Sequence, residues 1–191
     1  MYRCCFLYFL MILFPEFGYG QDTLLVKIQP VSTLEIHGKT NINKFTCSQT
    51  HRLPKELKEI SLYQDGNVVA FDNAQLNIPV NDFDCGHKIM TKDFQEILES
   101  DKNPYLLIHL HAVYKTSAGL IADVSIRIAG VSRRYRIPIN VTDGNQALTG
   151  KGERQVNFSE FNLDPPVKFM GMVKVKEELN ISFNISIAQL K

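Results

Sequence analysis

Apolar and polar residues alternate one by one along most of this chain. The last segment shows it most plainly. In LNISFNISI, Leu179, Ile181, Phe183, Ile185 and Ile187 point one way, and Asn180, Ser182, Asn184 and Ser186 point the other. A period of two sets successive side chains on opposite faces of a β-strand. The same alternation sets Leu120, Ala122, Val124, Ile126 and Ile128 against Asp123, Ser125 and Arg127. It sets Tyr135, Ile137, Ile139 and Val141 against Arg134, Arg136, Pro138 and Asn140, and Leu106, Ile108, Leu110 and Ala112 against Tyr105, His109 and His111. Shorter runs of the same kind fall at 24–28, 60–62, 76–80 and 173–175. Turn signals at Asp65-Gly66-Asn67, Ser117-Ala118-Gly119 and Asp143-Gly144-Asn145 fit hairpins joined in sequence. One-sided alternation over about eight to ten strands predicts an all-β antiparallel sheet with one wet and one dry face. The dry face is covered either by a second sheet or by closure of the sheet on itself.

One stretch departs from this. Residues 90–101 carry Met90, Phe94, Ile97 and Leu98 at helical spacing. Thr91 and Asp93 suit a helix start, and Asn103-Pro104 an end. The spacing predicts one amphipathic helix between the early and late strands. Such a helix either lids an end of a barrel or packs against its outside. Pro165-Pro166 marks a rigid loop before the last strands.

The N-terminus changes the setting. Arg3 precedes an apolar run at 6–14 that is too short to span a bilayer as a helix. Gly18 and Gly20 supply small residues before a cut between Gly20 and Gln21. Residues 1–20 therefore read as a secretory signal peptide, with a short membrane anchor as the other reading of the same run. The remainder, 21–191, is of a size to form one soluble, exported domain, periplasmic or secreted. Cleavage removes Cys4 and Cys5 and leaves Cys47 and Cys85. In an oxidising compartment these two either pair or stay as buried thiols, and the bridge is the expected form. The formal net charge is +1, with no basic patch or acidic block, and gives no support for a nucleic-acid partner.

Candidate chemistry is sparse. His109 and His111 share a strand face at the spacing some β-scaffold metal sites use. A third ligand would come from His37, His51 or His87, none of them diagnostically spaced, and two solvent-facing histidines are the simpler reading. There is no G-x-S-x-G and no phosphate-cradling glycine loop before a helix. Matches to the N-glycosylation pattern at Asn140, Asn157, Asn180 and Asn184 are what a wet face rich in Asn, Ser and Thr produces by chance. No catalytic, metal or cofactor site is expected. What remains is the dry face, rich in Ile, Val, Leu and Phe. It either lines a lumen for a hydrophobic ligand or fills a solid core.

Four segments resemble the YceI-like family. STLEIHGKTNINKFTC is similar to its first long strand, and LNIPVNDFDCGHKIMTKDFQEILESDKNPYLLIHL to its strand, loop, helix and following strand. ADVSIRIAGVSRRYRIPINV resembles its central strand pair, through Ile126, Ile128, Gly130, Ser132 and Arg133. VNFSEFNLDPPVKFMGMVKVKEELNISFNISI is similar to its C-terminal loop and closing hairpin. The resemblance implies an exported, lipocalin-like, extended antiparallel barrel of about eight strands, non-enzymatic, that binds a long isoprenoid chain in its lumen. It places Gly38 where the first long strand bends and Cys47 against Cys85 near one barrel mouth, as in an exported subgroup. Alternation then assigns the lumen lining to Ile108, Leu110, Val124, Ile126, Ile137, Ile139, Phe183 and Ile185. The competing expectation is a structural or interaction module with a filled barrel and no ligand.

Overall fold

Strands form where the alternation predicts them, and in several places where it fails. The structure is a computed structural model that describes residues 21–50, 57–144, 147–168 and 172–190. The leader at 1–20 and His51 lie outside the described residues. The early strands are β1 (Gln21–Ile28), β2 (Thr33–Thr40), β3 (Lys44–Gln49), β4 (Leu57–Asp65), β5 (Val68–Asp72), β6 (Gln75–Pro79) and β7 (Phe83–Asp84). After helix α1 (Lys88–Ile97) come β8 (Tyr105–Thr116), β9 (Gly119–Ile128), β10 (Val131–Asp143), β11 (Leu148–Asn157), β12 (Val167–Lys168) and β13 (Val173–Leu190). Turns of 3-10 helix occupy Val80–Asp82 and Phe158–Phe161.

The order β1-β4-β5-β8-β9-β10-β11-β13 returns to β1 through an antiparallel β1–β13 pairing, so eight strands close a ring. Closure leaves the ring without a free edge, the usual liability of an antiparallel sheet. The short strands extend the ring lengthwise. β2 continues β1 along the same edge of β13: Ile28 pairs with Ile187, and Thr33 with Asn184. Residues 29–32 thus bulge opposite residues 185 and 186. The bulge is tied at Ser186, whose carbonyl accepts from the Gln29 N–H at 2.7 Å and whose N–H donates to Ser32 Oγ at 2.9 Å. β6 continues β5 along β8 in the same way, and β3 pairs with β2 and β7.

Several expectations are corrected. The helix runs Lys88–Ile97 and not 90–101, because His87 is its N-cap: the ring nitrogen Nδ1 accepts the Ile89 N–H. The Thr91 hydroxyl is instead engaged with Asp84 and the Cys85 N–H. The run at 173–175 and the final alternating run are one strand, bulged between Val175 and Leu179. On β8 the register slips at His111, so Ala112 falls opposite Asp123 on the outer face and Val113 turns toward the core. Val141, assigned to the dry face, is 37% exposed near the end of β10. The β9–β10 hairpin turns on Ala129 and Gly130, both at positive φ, as a two-residue hairpin with right-handed strand twist requires.

Asp123 is a charged residue buried on the wet face, only 4% exposed. Arg134 Nε and Nη2 donate to its two oxygens at 2.7 and 3.1 Å. These bonds hold the Asp123 carboxyl below its usual range against the opposing effect of burial. A depressed folded-state pKa contributes stability above the unfolded value of about 4, and that contribution is lost as pH falls through the folded value. Urea unfolding of the wild type and Asp123→Asn should therefore show the wild type more stable at neutral pH. The gap should close on acidification below about pH 4. An equal gap at both pH values would remove the ion pair as its source.

Candidate functional site

The barrel is hollow at the end where its regularity breaks. Between Val175, which pairs with Thr40, and Leu179, which pairs with Gly38, three residues of β13 face one of β2. The bulge splays the wall there. Gly38 adds no side chain, and the Phe45 ring occupies its place: a Cβ built on Gly38 would lie 2.2 Å from the ring. This close approach, rather than a special backbone angle, explains the glycine in a buried strand. The result is a cavity of about 420 Å³.

Each wall of the cavity comes from a different element. β2 and β3 give Ile36, Phe45 and Cys47; β11 and the 3-10 turn give Val156, Phe158 and Phe161; β13 gives Val173, Val175, Leu179 and Ile181. Leu163 and Pro166 close one side. α1 lies over the opening with its apolar stripe, Met90, Phe94, Ile97 and Leu98, turned inward. Two contacts fix the helix there. The disulfide between Cys47 and Cys85 joins β3 to the segment just before it, and the Phe83 and Phe94 rings pack at 5.3 Å between centroids.

Polar groups on the wall are few: Thr40, His87, Asp93 and Asn157. His87 is engaged in capping α1, and Asn157 forms a capping box with Glu160. Glu160 also accepts the Tyr135 hydroxyl at 2.8 Å; burial and this bond push the Tyr135 pKa above its ordinary value. The Ser159 hydroxyl, together with the Ser159 N–H that donates to Glu177 at 2.8 Å, holds the Glu177 carboxyl below the usual range. Among the described residues, the lining holds no nucleophile beside a base. What the cavity can do is remove apolar surface from water.

The eight residues assigned to a lumen all lie in or against the barrel core. Val124, Ile126 and Ile137 are buried in it, and Ile108, Leu110, Ile139, Phe183 and Ile185 pack against it. None of the eight lines the 420 Å³ cavity, which sits nearer the helix end. Next to them the Phe183 ring fills the space left by Gly152. Of the lumen and disulfide residues assigned from sequence, Cys47 reaches the cavity wall, and the bridge to Cys85 is formed. The His109 and His111 rings pack at a tilt, 4.2 Å between centroids, on the outer face, where His111 Nε2 lies 2.7 Å from Ser125 Oγ. Burial, with the charges of His109 and Arg134, pulls the His111 pKa down. His37 sits on another strand between Thr46 and Ser182, and His87 is at the helix. The described residues bring no three potential metal ligands together.

The alternation missed Phe45, Phe158, Phe161, Leu163 and Leu179 as cavity residues. A usable signal was the break itself. Lys176-Glu177-Glu178 interrupts the period of two, and FSEF places two aromatics outside any strand.

The family model of the YceI-like domain matches residues 27–187. Solved structures share the fold. BcnA from Burkholderia cenocepacia is 18% identical with a TM-score of 0.62, covering 82% of this chain and 96% of its own. A polyisoprenoid-binding domain from Saccharophagus degradans is 10% identical with a TM-score of 0.58, covering 87% of this chain and 99% of its own. No curated protein matches the chain at a significant level.

The disulfide, whose cysteines lie 38 positions apart, is expected to matter for more than the mouth. In the chain-entropy model a loop of this size is worth about 3–4 kcal/mol. The double variant Cys47→Ser/Cys85→Ser should lose about that much unfolding free energy in urea. A loss below about 1 kcal/mol would show that the Phe83–Phe94 contact and the apolar stripe hold the helix unaided.

Proposed function

Because the chain belongs to the YceI-like family and its barrel opens into an apolar cavity, we propose that the protein binds the hydrocarbon chain of a lipid, an isoprenoid or another long-chain amphiphile, without catalysis. The observation that carries this reading is the cavity wall, aliphatic and aromatic on every side except for Thr40, His87, Asp93 and Asn157. The polyisoprenoid-binding domain of similar fold supports the same ligand class. The leader pattern and the Cys47–Cys85 bridge support an exported, periplasmic or secreted setting.

The binding energy would come from desolvation. At roughly 30 Å³ per heavy atom at liquid density, 420 Å³ holds about 14 heavy atoms. At about 0.8 kcal/mol per buried methylene, such a stretch supplies on the order of 10 kcal/mol before association and ordering are charged against it. The ligand enters under α1 with its polar end toward Thr40 and His87. A longer chain would leave its remainder outside or open the core beyond the floor. The chain-binding residues on this reading are those of the cavity, Ile36, Phe45, Leu179 and Ile181 among them, rather than the set read from alternation.

Two variants separate a cavity from a filled core. Leu179→Trp should fill the space, reduce uptake of a prenyl alcohol at least tenfold in native mass spectrometry, and leave the fold intact by circular dichroism. Ile126→Ala, in the packed core, should cost about 2–5 kcal/mol of stability while uptake persists. A wild-type protein that stays free of lipid when offered prenyl alcohols and fatty acids would overturn the proposal in favour of a filled structural module.

A further inference from the structure

Exposed apolar side chains are not spread evenly over this protein. Among the described residues, five large hydrophobics are more than half exposed with no aromatic hydroxyl: Val31, Ile42, Ile89, Val167 and Met172. All but Val31 surround the cavity mouth. Ile42, 68% exposed, is at the tip of the β2–β3 hairpin, two residues beyond the cavity residue Thr40. Met172, 69% exposed, precedes the lining residue Val173, and Val167 follows the lining residue Pro166. Ile89, 66% exposed, is itself on the cavity rim at the start of α1. Asn41 holds two of these tips together: its N–H donates to the Lys174 carbonyl, its amide nitrogen to the Met172 carbonyl at 2.8 Å, and its amide oxygen accepts the Lys174 N–H. Apolar residues that project from separate loops onto one rim mark an interaction surface.

The charges beside them indicate what that surface meets. Lys39 and Lys44 face each other across the hairpin, and Lys174 and Lys176 begin the adjoining strand. Lys88 neighbours Ile89. All five are exposed, and none has a carboxylate within ion-pair distance among the described residues. Of the carboxylates at this end, Glu177, Asp84, Glu160 and the cavity-wall Asp93 are engaged within the fold, and Asp164 and Glu178 are exposed. Apolar tips that dip into the acyl boundary, flanked by uncommitted lysines at headgroup level, are the combination that binds an anionic bilayer reversibly.

We propose that the cavity mouth is a peripheral membrane-docking surface for an anionic lipid bilayer. Ile42, Met172, Val167 and Ile89 insert at the interface, and Lys39, Lys44, Lys174, Lys176 and Lys88 contact headgroup phosphates. This rests on the lipid-binding reading above and deepens it. Docking by the mouth lets an apolar chain pass from bilayer to cavity without crossing water.

The test is sedimentation of the full mature protein with vesicles of phosphatidylcholine, alone and with phosphatidylglycerol at about one third, at low and high salt. The wild type should partition onto the anionic vesicles, more weakly at high salt. Ile42→Asp/Met172→Asp should lower partitioning at least tenfold on both compositions. Lys39→Gln/Lys44→Gln should lower it several-fold on the anionic vesicles only. Neither double variant touches the cavity wall, so uptake of a prenyl alcohol from solution should be unchanged. Leu179→Trp should dock normally while failing to take up lipid. In the wild type, docking without uptake sinks the lipid-binding reading alone, and uptake without docking sinks this one alone. Wild-type protein that stays in the supernatant with both vesicles would overturn the inference. So would an Ile42→Asp/Met172→Asp variant that sediments like the wild type. A wild-type dimer in sedimentation equilibrium that this variant converts to monomer would also overturn it, by showing that a second copy covers the patch.

Discussion

The structure depends on one strand being hydrogen-bonded along both edges. β13 pairs with β11 on one side, and with β1 and then β2 on the other. Without that second edge the sheet would stay open, its apolar face uncovered and its terminal strand available to other chains. With it, the eight strands share one interior, and no second sheet is needed to bury the dry face. The eighteen residues of β13 are what make this feasible. A strand of usual length could meet β1 or β2 but not both in succession.

The same length sets the problem that the site solves. A straight pairing of β13 with β1 and β2 would run the barrel on as a uniform tube. Two bulges interrupt it. The one at residues 29–32 is stitched by Ser32 and Ser186, and lets the early chain pass from one half of the barrel to the other without losing its inward-facing set. The one after Val175 widens the wall opposite Gly38. Space opens there because strand neighbours no longer face one another in pairs. α1, anchored by the Cys47–Cys85 bridge, spans the gap. A bulged wall, a missing side chain and a stapled helix together make an apolar cavity with a defined entrance. The proposed lipid and membrane roles belong to that one end of the molecule.

Much of this was legible beforehand, and the misses have physical causes. The alternating runs fixed which side chains face inward on β9, β10 and β13, and the turn residues fixed most hairpins. β11 escaped notice because its inward positions are Gly150, Gly152 and Arg154, whose roles are assigned by neighbours: Phe183 fills the gap at Gly152, and Arg154 lies over the Tyr135 ring. The start of α1 was misplaced because the cap is a histidine, and Thr91, the more usual capping residue, is spent on Asp84. His109 and His111 share a face as their spacing implied, yet the bulge at His111 reassigned Ala112 and Val113.

By itself, the sequence determined the fold class and most of the inward-facing set, because period and turn chemistry are local properties, and it offered the Cys47–Cys85 bridge as the expected form. Where the barrel is solid and where it is hollow was decided only by tertiary structure. Ile126 and Ile181 look alike in their strands, each apolar between polar neighbours. Both are buried in the core, but Ile181 also faces the cavity and Ile126 does not. The difference lies in what stands opposite, and that is set by register, by two bulges and by a helix brought over the opening from a distant part of the chain. Alternation specifies the face a residue occupies. Only the closed sheet specifies how much space that face encloses.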